Sequence, residues 1–350
     1  MSQENVKTPK SLTTQEEAKH SSPICSTVVN ESKSSTEASD HKAHKDHKDQ
    51  TPVEDINPYD MIVEALMKGE LQQNGSTHNF HGKYTTKTLI FSSRSCHVFV
   101  GENKDSGLNV AIKRFKLDDT CELVGYLTED GTLREFYVQN TAQTFSVEGG
   151  KGSVLKALDW YVYNSYFLLV TDYDEDFKSL ADCTLDQPDE HFTEDECKTI
   201  FKLVCKLVIK LNENGIFHLD IKPDNFLYNK IKKEIKLLDF GHSILEATKD
   251  NLRIQHVCGT DGLRTPQQVA KSSYYGKDVD MWCVAQTVYY CLHGDYAFKN
   301  DSEVLNNKDI QFNDDVSEDC KDLIRVMLAY NVEERLNHSE ILKHSWLDNN

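Results

Sequence analysis

The chain has 350 residues, enough for a sizeable core, and a formal net charge of −18, which disfavours nucleic acid as a partner. Its apolar runs are far shorter than the ~20 residues that a membrane-spanning helix needs. The ten cysteines include no CxxC pair and the first residues, "MSQENVKTPK", contain no apolar segment, so we expect reduced thiols, no secretory signal and a cytoplasmic or nuclear protein.

The first part of the chain is predicted to be a disordered tail. Residues 1–56 contain no Phe, Trp or Tyr and are rich in Ser, Thr, Lys and Glu. Such a composition cannot bury enough apolar surface to offset the entropy cost of ordering. Residues 57–83 are predicted to hold a short helix and a linker, because Asn57 can cap a helix and Pro58 suits its first turn.

From residue 84 onward the pattern predicts continuous ordered structure. Segments rich in β-forming residues run from about 84 to 115 and again near 154–172. Thr193 and Glu196 form a capping box that opens "FKLVCKLVIKL", whose apolar positions keep a helical period. The sequence therefore predicts an α+β protein, with a small β-rich lobe followed by a larger, mostly helical lobe.

The stretch "IFHLDIKPDNFLYN", residues 216–229, concentrates polar residues between apolar ones. Phosphoryl transfer needs positioning, metal ions on the phosphates and a group that accepts the proton of the nucleophile. Asp220 can accept or orient a hydroxyl proton, and Lys222 can neutralise a phosphate in transfer. Asn225 can supply a hard oxygen ligand for Mg²⁺.

Three further residues complete this set. Asp239 follows two leucines in "LLDFGHS" and is the second candidate metal ligand. Lys113 in "VAIKRF" is placed on a strand, from which it could hold phosphate oxygens. Glu135 in "TLREFYVQ" could pair with Lys113 from a helix.

In this order and at these separations the motifs resemble those of the eukaryotic protein kinase superfamily over residues 84–347. "VAIK" is similar to the β3 motif, "HLDIKPDN" to the catalytic loop of serine/threonine kinases and "DFG" to the metal motif. "CGTDGLRTPQQV" resembles the end of an activation segment, and "DVDMWCVAQTVYY" the buried helix whose Asp, here Asp280, supports the catalytic loop. "EERLNHSEILKHSWL" resembles the closing helices of calcium/calmodulin-kinase-like and Pim-like enzymes, and "HLDIKPDNF" also resembles the Bub kinases, so the subfamily stays open.

The resemblance implies a bilobal fold, ATP and Mg²⁺ as cofactors and protein substrates. It also implies a hinge over residues 171–174 with Thr171 as the gatekeeper. The nucleotide-binding residues that it implies are Val98, Ala111, Lys113, Thr171, Asp172, Asp174 and Leu227.

The sequence departs from the family pattern at three places. The loop that normally carries glycines reads "FSSRSCHV" (91–98), and non-glycine residues in a left-handed conformation cost roughly 1–2 kcal/mol each. We therefore expect ATP affinity to be weakened by about one to three orders of magnitude. Leu219 stands where most kinases have Arg beside the catalytic Asp, so we expect Leu219 to pack as an apolar residue. Since there is then no Arg for a phosphate to neutralise, we also expect the protein to be active without phosphorylation of its activation segment. Gln267 in "TPQ" replaces the usual Glu, so Arg335 should donate a hydrogen bond to a neutral amide instead of forming an ion pair.

Two main hypotheses follow. The first is an active serine/threonine kinase, with a preference for basic residues before the phosphoacceptor because Asp224 and the acidic residues after the hinge could pair with them. The second is a pseudokinase that acts as a binding or scaffolding module, for which the glycine-free loop is the argument. A small-molecule kinase is a lesser alternative, disfavoured by the Thr260 segment, which resembles a peptide-docking loop.

Overall fold

The computed structural model describes residues 80–93, 96–116, 127–128, 132–163, 166–245, 253–254 and 259–347. The predicted tail 1–56 and the predicted helix that begins near Asn57 lie outside the described residues, as do Arg94 and Ser95 of the glycine-free loop.

The first lobe is built around a five-stranded antiparallel sheet. Its elements are α1 (Phe80–Lys83), β1 (Tyr84–Ser92), β2 (Cys96–Asn103), β3 (Asn109–Lys116), α2 (Arg134–Ala142), β6 (Ala157–Tyr163) and β7 (Tyr166–Asp172). The strand order is β1-β2-β3-β7-β6, which leaves β1 at an edge. Phe80, Ile112 and Val170 belong to an apolar cluster on one side of the sheet, while Leu133, next to α2, and Trp160 belong to a second cluster.

A second sheet has the strand order β4-β5-β11-β10-β8. Its strands are β4 (Ser146–Val147), β5 (Gly152–Val154), β8 (Lys178–Ser179), β10 (Phe226–Asn229) and β11 (Glu234–Leu237). β10 and β11 form an antiparallel hairpin, and β11 runs parallel to β5. Because β10 directly follows the segment 218–225 and β11 directly precedes 238–239, this hairpin fixes the two segments side by side.

The second lobe is mostly helical, as predicted. Its helices are α3 (Leu180–Leu185), α4 (Glu194–Glu213), α5 (Pro266–Val269), α6 (Gly276–His293), α7 (Asp301–Leu305), α8 (Glu318–Met327) and α9 (His338–Ile341). Short pairs join β9 (Ile216–Phe217) to β12 (Ile244–Leu245) and β13 (Arg253–Ile254) to β14 (Tyr274–Tyr275).

The largest core lies between α4 and α6. The predicted capping box of Thr193 and Glu196 is confirmed at the start of α4. Nearly all of α6 is buried, including Asp280 and Trp282. No helix in the described ranges is long and apolar enough to cross a membrane.

Candidate active site

Lys113 on β3 joins two carboxylates that come from distant parts of the chain. Its Nζ lies 2.6 Å from Oε1 of Glu135 on α2 and 2.7 Å from Oδ1 of Asp239 after β11. Glu135 is almost fully buried, so its carboxylate depends on this contact. The structure therefore brings together the three residues that the sequence placed on a strand, a helix and a loop.

Lys113 and Asp239 stabilise each other's charges, whereas burial raises the pKa of Glu135. Burial lowers the pKa of Lys113, but the carboxylates of Asp239 and Glu135 outweigh burial and raise it above its ordinary value. Burial likewise acts to raise the pKa of Asp239, yet the Lys113 ammonium holds it well below its usual range. Lys113 therefore stays an ammonium and Asp239 a carboxylate near neutral pH.

Asp220 is held by three polar neighbours. Lys222 Nζ lies 2.8 Å from its Oδ2, and the hydroxyl of Thr260 donates to its Oδ1 at 3.0 Å. Lys222 also donates to the Thr260 hydroxyl at 3.1 Å, and the Asn225 amide donates to the Asp220 carbonyl oxygen at 2.7 Å. Burial lowers the pKa of Lys222, but the Asp220 carboxylate raises it overall, so Lys222 carries its charge.

Asp280 supports the backbone of this loop, as expected. Its carboxylate accepts from the backbone N–H groups of His218 at 2.9 Å and Leu219 at 2.7 Å. The Asn212 amide donates to the same carboxylate at 2.8 Å. Because Asp280 is fully buried, burial raises its pKa to about 6 despite these three donors.

His218 links the loop to the segment that contains Asp239. Its Nε2 lies 3.0 Å from the carbonyl oxygen of Leu238, and its Nδ1 lies 3.3 Å from the backbone nitrogen of Asp220. Burial lowers the pKa of His218, so the ring is neutral, with the proton on Nε2 facing the carbonyl oxygen. Its ring also contacts Phe240 edge-on, with centroids 4.9 Å apart.

Leu219 packs as an apolar residue, which confirms the packing expected at this position; the expectation about phosphate stays a prediction. Its exposed fraction is 1%, and it belongs to the main core. Its φ is 64°, a left-handed conformation that is uncommon for a residue with a side chain. The two hydrogen bonds to Asp280, one from Leu219 itself, hold this conformation in place.

Two described residues of the glycine-free loop, Ser93 and Cys96, contact each other between β1 and β2. The backbone N–H of Ser93 donates to the carbonyl oxygen of Cys96 at 2.8 Å, and the N–H of Cys96 donates to the Ser93 hydroxyl at 3.1 Å. Among the described residues of the turn, Ser92, Ser93 and Cys96 do not have positive φ. The left-handed conformation expected for these three positions is therefore wrong, because β1 continues in extended form to Ser92 and β2 begins at Cys96.

Four predicted nucleotide-binding residues of the first lobe share one face of its sheet, whereas Asp172 pairs with Val110 and lies on the other face. Val98 pairs with Lys113, and Ala111, two residues before Lys113, pairs with Thr171. Thr171 is buried, and its hydroxyl donates to the carbonyl oxygen of Asp172 at 3.3 Å. Half-buried Leu227 lies on β10 of the second sheet, opposite Lys236. Half-buried Asp174 follows β7 of the first sheet.

Arg335 and Gln267 form the neutral contact that was expected. The guanidinium donates to Gln267 Oε1 at 3.1 Å and to the carbonyl oxygen of Ala329 at 2.8 Å. Burial lowers the pKa of Arg335 to about 10. A buried guanidinium that meets an amide in place of a carboxylate forms a weaker contact.

The donor atoms around Asp239 fit a nucleotide-bound magnesium ion. Lys113 contacts Oδ1 of Asp239, so Oδ2 could bind a metal ion. The side-chain nitrogen of Asn225 donates to Asp220, so the side-chain oxygen Oδ1 of Asn225 could be a second ligand. Magnesium at such sites takes one or two protein oxygens and completes its shell with phosphates and water. Within the described part of the chain, no three His, Cys, Asp or Glu side chains form a metal-binding group of their own.

Several contacts in the site were not foreseen from the sequence. The Thr260 hydroxyl bridges Asp220 and Lys222, and Asn212 contacts Asp280 across 68 positions of the chain. Asn212 interrupts the apolar pattern of α4, which is the signal that could have identified it.

Comparisons with known proteins agree with this geometry. The family model described as "Protein kinase domain" matches residues 84–347. Serine/threonine-protein kinase pim-2 of Danio rerio is 27% identical over 282 residues, which cover 79% of this chain and 87% of that protein. Calcium/calmodulin-dependent protein kinase type 1 of Macrobrachium nipponense is 31% identical over 170 residues, covering 45% of this chain and 48% of that protein. The phosphorylase b kinase gamma catalytic chain, liver/testis isoform, of Mus musculus is 27% identical over 309 residues, covering 82% and 72%.

Proposed function

This chain belongs to the protein kinase domain family, and on that premise we propose that it is an active enzyme, which transfers the γ-phosphate of ATP to serine or threonine hydroxyls of proteins. One observation carries the proposal: Lys113 contacts Glu135 and Asp239 at the same time. An assembled contact of this kind is what phosphoryl transfer requires of the protein, because most of the catalysis is positioning and electrostatic stabilisation.

The residues of the site divide the work. Bound Mg·ATP supplies the phosphoryl group and the divalent charge that neutralises its oxygens. Asp220 orients the substrate hydroxyl and accepts its proton, and the Thr260 hydroxyl keeps the carboxylate in place. Lys222 adds a positive charge 2.8 Å from Asp220. Lys113 keeps its own positive charge between Glu135 and Asp239, where it can hold phosphate oxygens.

The test is a phosphotransfer assay with Mg·ATP and a generic basic protein, together with direct measurement of Mg·ATP binding. We expect turnover by the wild-type protein and a loss of about a thousandfold in Asp220→Asn, with nucleotide binding retained. Asp186→Asn is the matched control, because Asp186 forms an exposed ion pair with Lys178. If Asp220→Asn turned over at the same rate as the wild-type protein, catalysis by this site would be rejected.

A non-catalytic binding module on the same fold is favoured by one observation, the β1–β2 turn without glycine. Glycines allow the backbone N–H groups of such a turn to approach phosphates closely. A wild-type protein that shows no turnover at millimolar ATP would favour this second function.

The preferred substrates are proteins with basic residues before the phosphoacceptor. Asp224 supports this preference because it is exposed on the turn Pro223–Asn225, directly after Lys222. Asp174 and Asp176 lie 3.7 and 3.6 Å from Lys232, which offsets part of their charge. In a peptide array, Asp224→Asn should weaken the preference for Arg or Lys. An acidic or proline-directed preference of the wild-type protein would contradict it.

A further inference from the structure

Gln139 is a buried polar residue on α2, one helical turn after Glu135. Only 1% of it is exposed, and its amide nitrogen donates to the carbonyl oxygen of Leu155 at 2.8 Å. A buried amide that donates to a backbone carbonyl oxygen holds both groups in place, because breaking the hydrogen bond would leave buried polar groups without a partner or water. The contact therefore ties α2 to the segment that follows β5.

The same segment is tied to the strand that leads to Asp239. The backbone N–H of Leu155 donates to the carbonyl oxygen of Leu237 at 2.8 Å, and Val154 pairs with Leu237 in the parallel contact of β5 with β11. Leu237 is two residues before Asp239. Through Leu155, Gln139 is thus connected to the metal motif as well as to the helix that carries Glu135.

These contacts connect Glu135 to Asp239 by two routes, one of which includes Lys113. One route runs through the ammonium group of Lys113, which contacts Glu135 at 2.6 Å and Asp239 at 2.7 Å. The other route runs from Glu135 along α2 to Gln139, and through Leu155 to the end of β11. Both routes constrain the same distance, that between the carboxylates of Glu135 and Asp239, which share the ammonium group of Lys113.

A second glutamine holds α2 to the same segment. The backbone N–H of Ala157 donates to Oε1 of Gln143 at 2.7 Å, so one glutamine donates and the other accepts, two residues apart on the segment. Gln143 lies at the end of α2, whereas Gln139 is one turn from Glu135. Gln139 is therefore the nearer of the two to the ion pair.

We propose that Gln139 is a positioning residue, which holds Glu135 and Asp239 at the spacing at which Lys113 contacts both. This inference rests on the proposed function of that site. An apolar side chain of similar size would fill the same space, but it could not donate to Leu155. The helix could then shift without losing its packing, and the contacts of Lys113 would loosen.

The test compares Gln139→Leu with Val138→Ala. Val138 is the buried neighbour of Gln139 on the same helix, so Val138→Ala lowers stability without touching the hydrogen bond. We expect Gln139→Leu to lower kcat/KM about tenfold and to weaken Mg·ATP binding, while Val138→Ala lowers the melting temperature and leaves both constants within about twofold. Unchanged constants in Gln139→Leu would overturn the proposal.

A double-mutant cycle separates positioning from a purely structural role. If Gln139 acts through Glu135, Gln139→Leu should have little further effect on Mg·ATP affinity or kcat/KM in a Glu135→Gln background. Effects that add fully in the double variant would show that Gln139 acts independently of the ion pair and would overturn the proposal.

The binding measurement keeps this inference distinct from the proposed function. If the wild-type protein binds Mg·ATP without turnover, catalysis is rejected, and the same cycle is scored on the dissociation constant alone. A wild-type protein that binds no Mg·ATP would overturn both proposals.

Discussion

The catalytic loop (residues 218–225) and the β1–β2 hairpin turn (residues 92–97) differ in how they are held. In the catalytic loop the side chains of His218, Asp220 and Asn225 are buried and hydrogen-bonded, and a buried carboxylate on α6 accepts from two backbone N–H groups of the loop. The hairpin turn is closed by its own Ser93–Cys96 contacts, and the strand before it, β1, exposes Leu89, Ile90 and Phe91. In the proposed function, catalysis would therefore depend on a tightly constrained region, whereas the nucleotide would contact a less constrained one.

This difference predicts that the two regions respond differently to the same kind of substitution. A change in the catalytic loop or its partners leaves a buried charge or a buried polar group without its contact, which costs several kcal/mol. A change in an exposed strand costs about 0.5 kcal/mol or less. Substitutions of the same chemical type, one in each region, therefore test the comparison directly.

The largest effect is expected for Lys113→Met. The variant leaves the buried Glu135 carboxylate without its cation and removes the charge at the phosphate site, so kcat/KM should fall by roughly a thousandfold. Lys87→Met is the matched control in the hairpin, where Lys87 forms an exposed ion pair with Glu102. It should stay within about twofold of the wild-type protein. Steady-state kinetics decide, and similar losses in both variants would remove the contrast between the regions.

The next effect concerns burial of a new charge. Leu219→Arg places a guanidinium at a position that is 1% exposed, and we expect a loss of about 3 kcal/mol in the free energy of unfolding. Leu89→Arg makes the same change on β1, at a position that is 48% exposed, and should cost less than about 0.5 kcal/mol. Urea denaturation measures both. A fully stable Leu219→Arg variant would show that the loop can accommodate a charge, and the expectation for Leu219 would then be wrong.

The same two regions mark how far the sequence can predict the site. The motifs indicated Lys113, Asp220 and Asp239, and the structure places them in two sets of contacts, Lys113 with Asp239 and Asp220 with Thr260. The hydrogen bond from Gln139 to Leu155 could not be predicted, since a side-chain contact with a backbone carbonyl 16 residues away depends on how the helix packs. The left-handed conformation expected for the glycine-free loop was wrong at Ser92, Ser93 and Cys96 for a related reason: the absence of glycine is visible in the sequence, but the residue at which β1 ends is not.

A pH-dependent effect is expected from the support of the loop. Burial raises the pKa of Asp280 to about 6, from an ordinary value near 4, so its proton is bound more tightly in the folded state. A raised carboxyl pKa adds stability below its unfolded value, and this stability is lost as the pH rises through about 6. Between about pH 4 and pH 7 the wild-type protein should therefore lose about 3 kcal/mol relative to Asp280→Asn. Urea denaturation across this range gives the difference, and parallel curves for the two proteins would contradict the burial of a titrating Asp280.

The smallest effect is expected in the hairpin itself, for Cys96→Gly. Cys96 lies two residues before Val98, on the strand face that carries Val98 and Lys113, and burial raises the pKa of its thiol to about 11. Removing this side chain opens space beside Lys113 and lets the backbone approach phosphates, so the KM for ATP should fall about three- to tenfold with kcat unchanged. Ser93→Gly is the control, because it removes the hydroxyl that contacts Cys96 and loosens the turn, and its KM should not fall. If KM stays the same in Cys96→Gly, the side chain does not limit the approach of the nucleotide, and the serine-closed turn already binds phosphate as well as a glycine turn would.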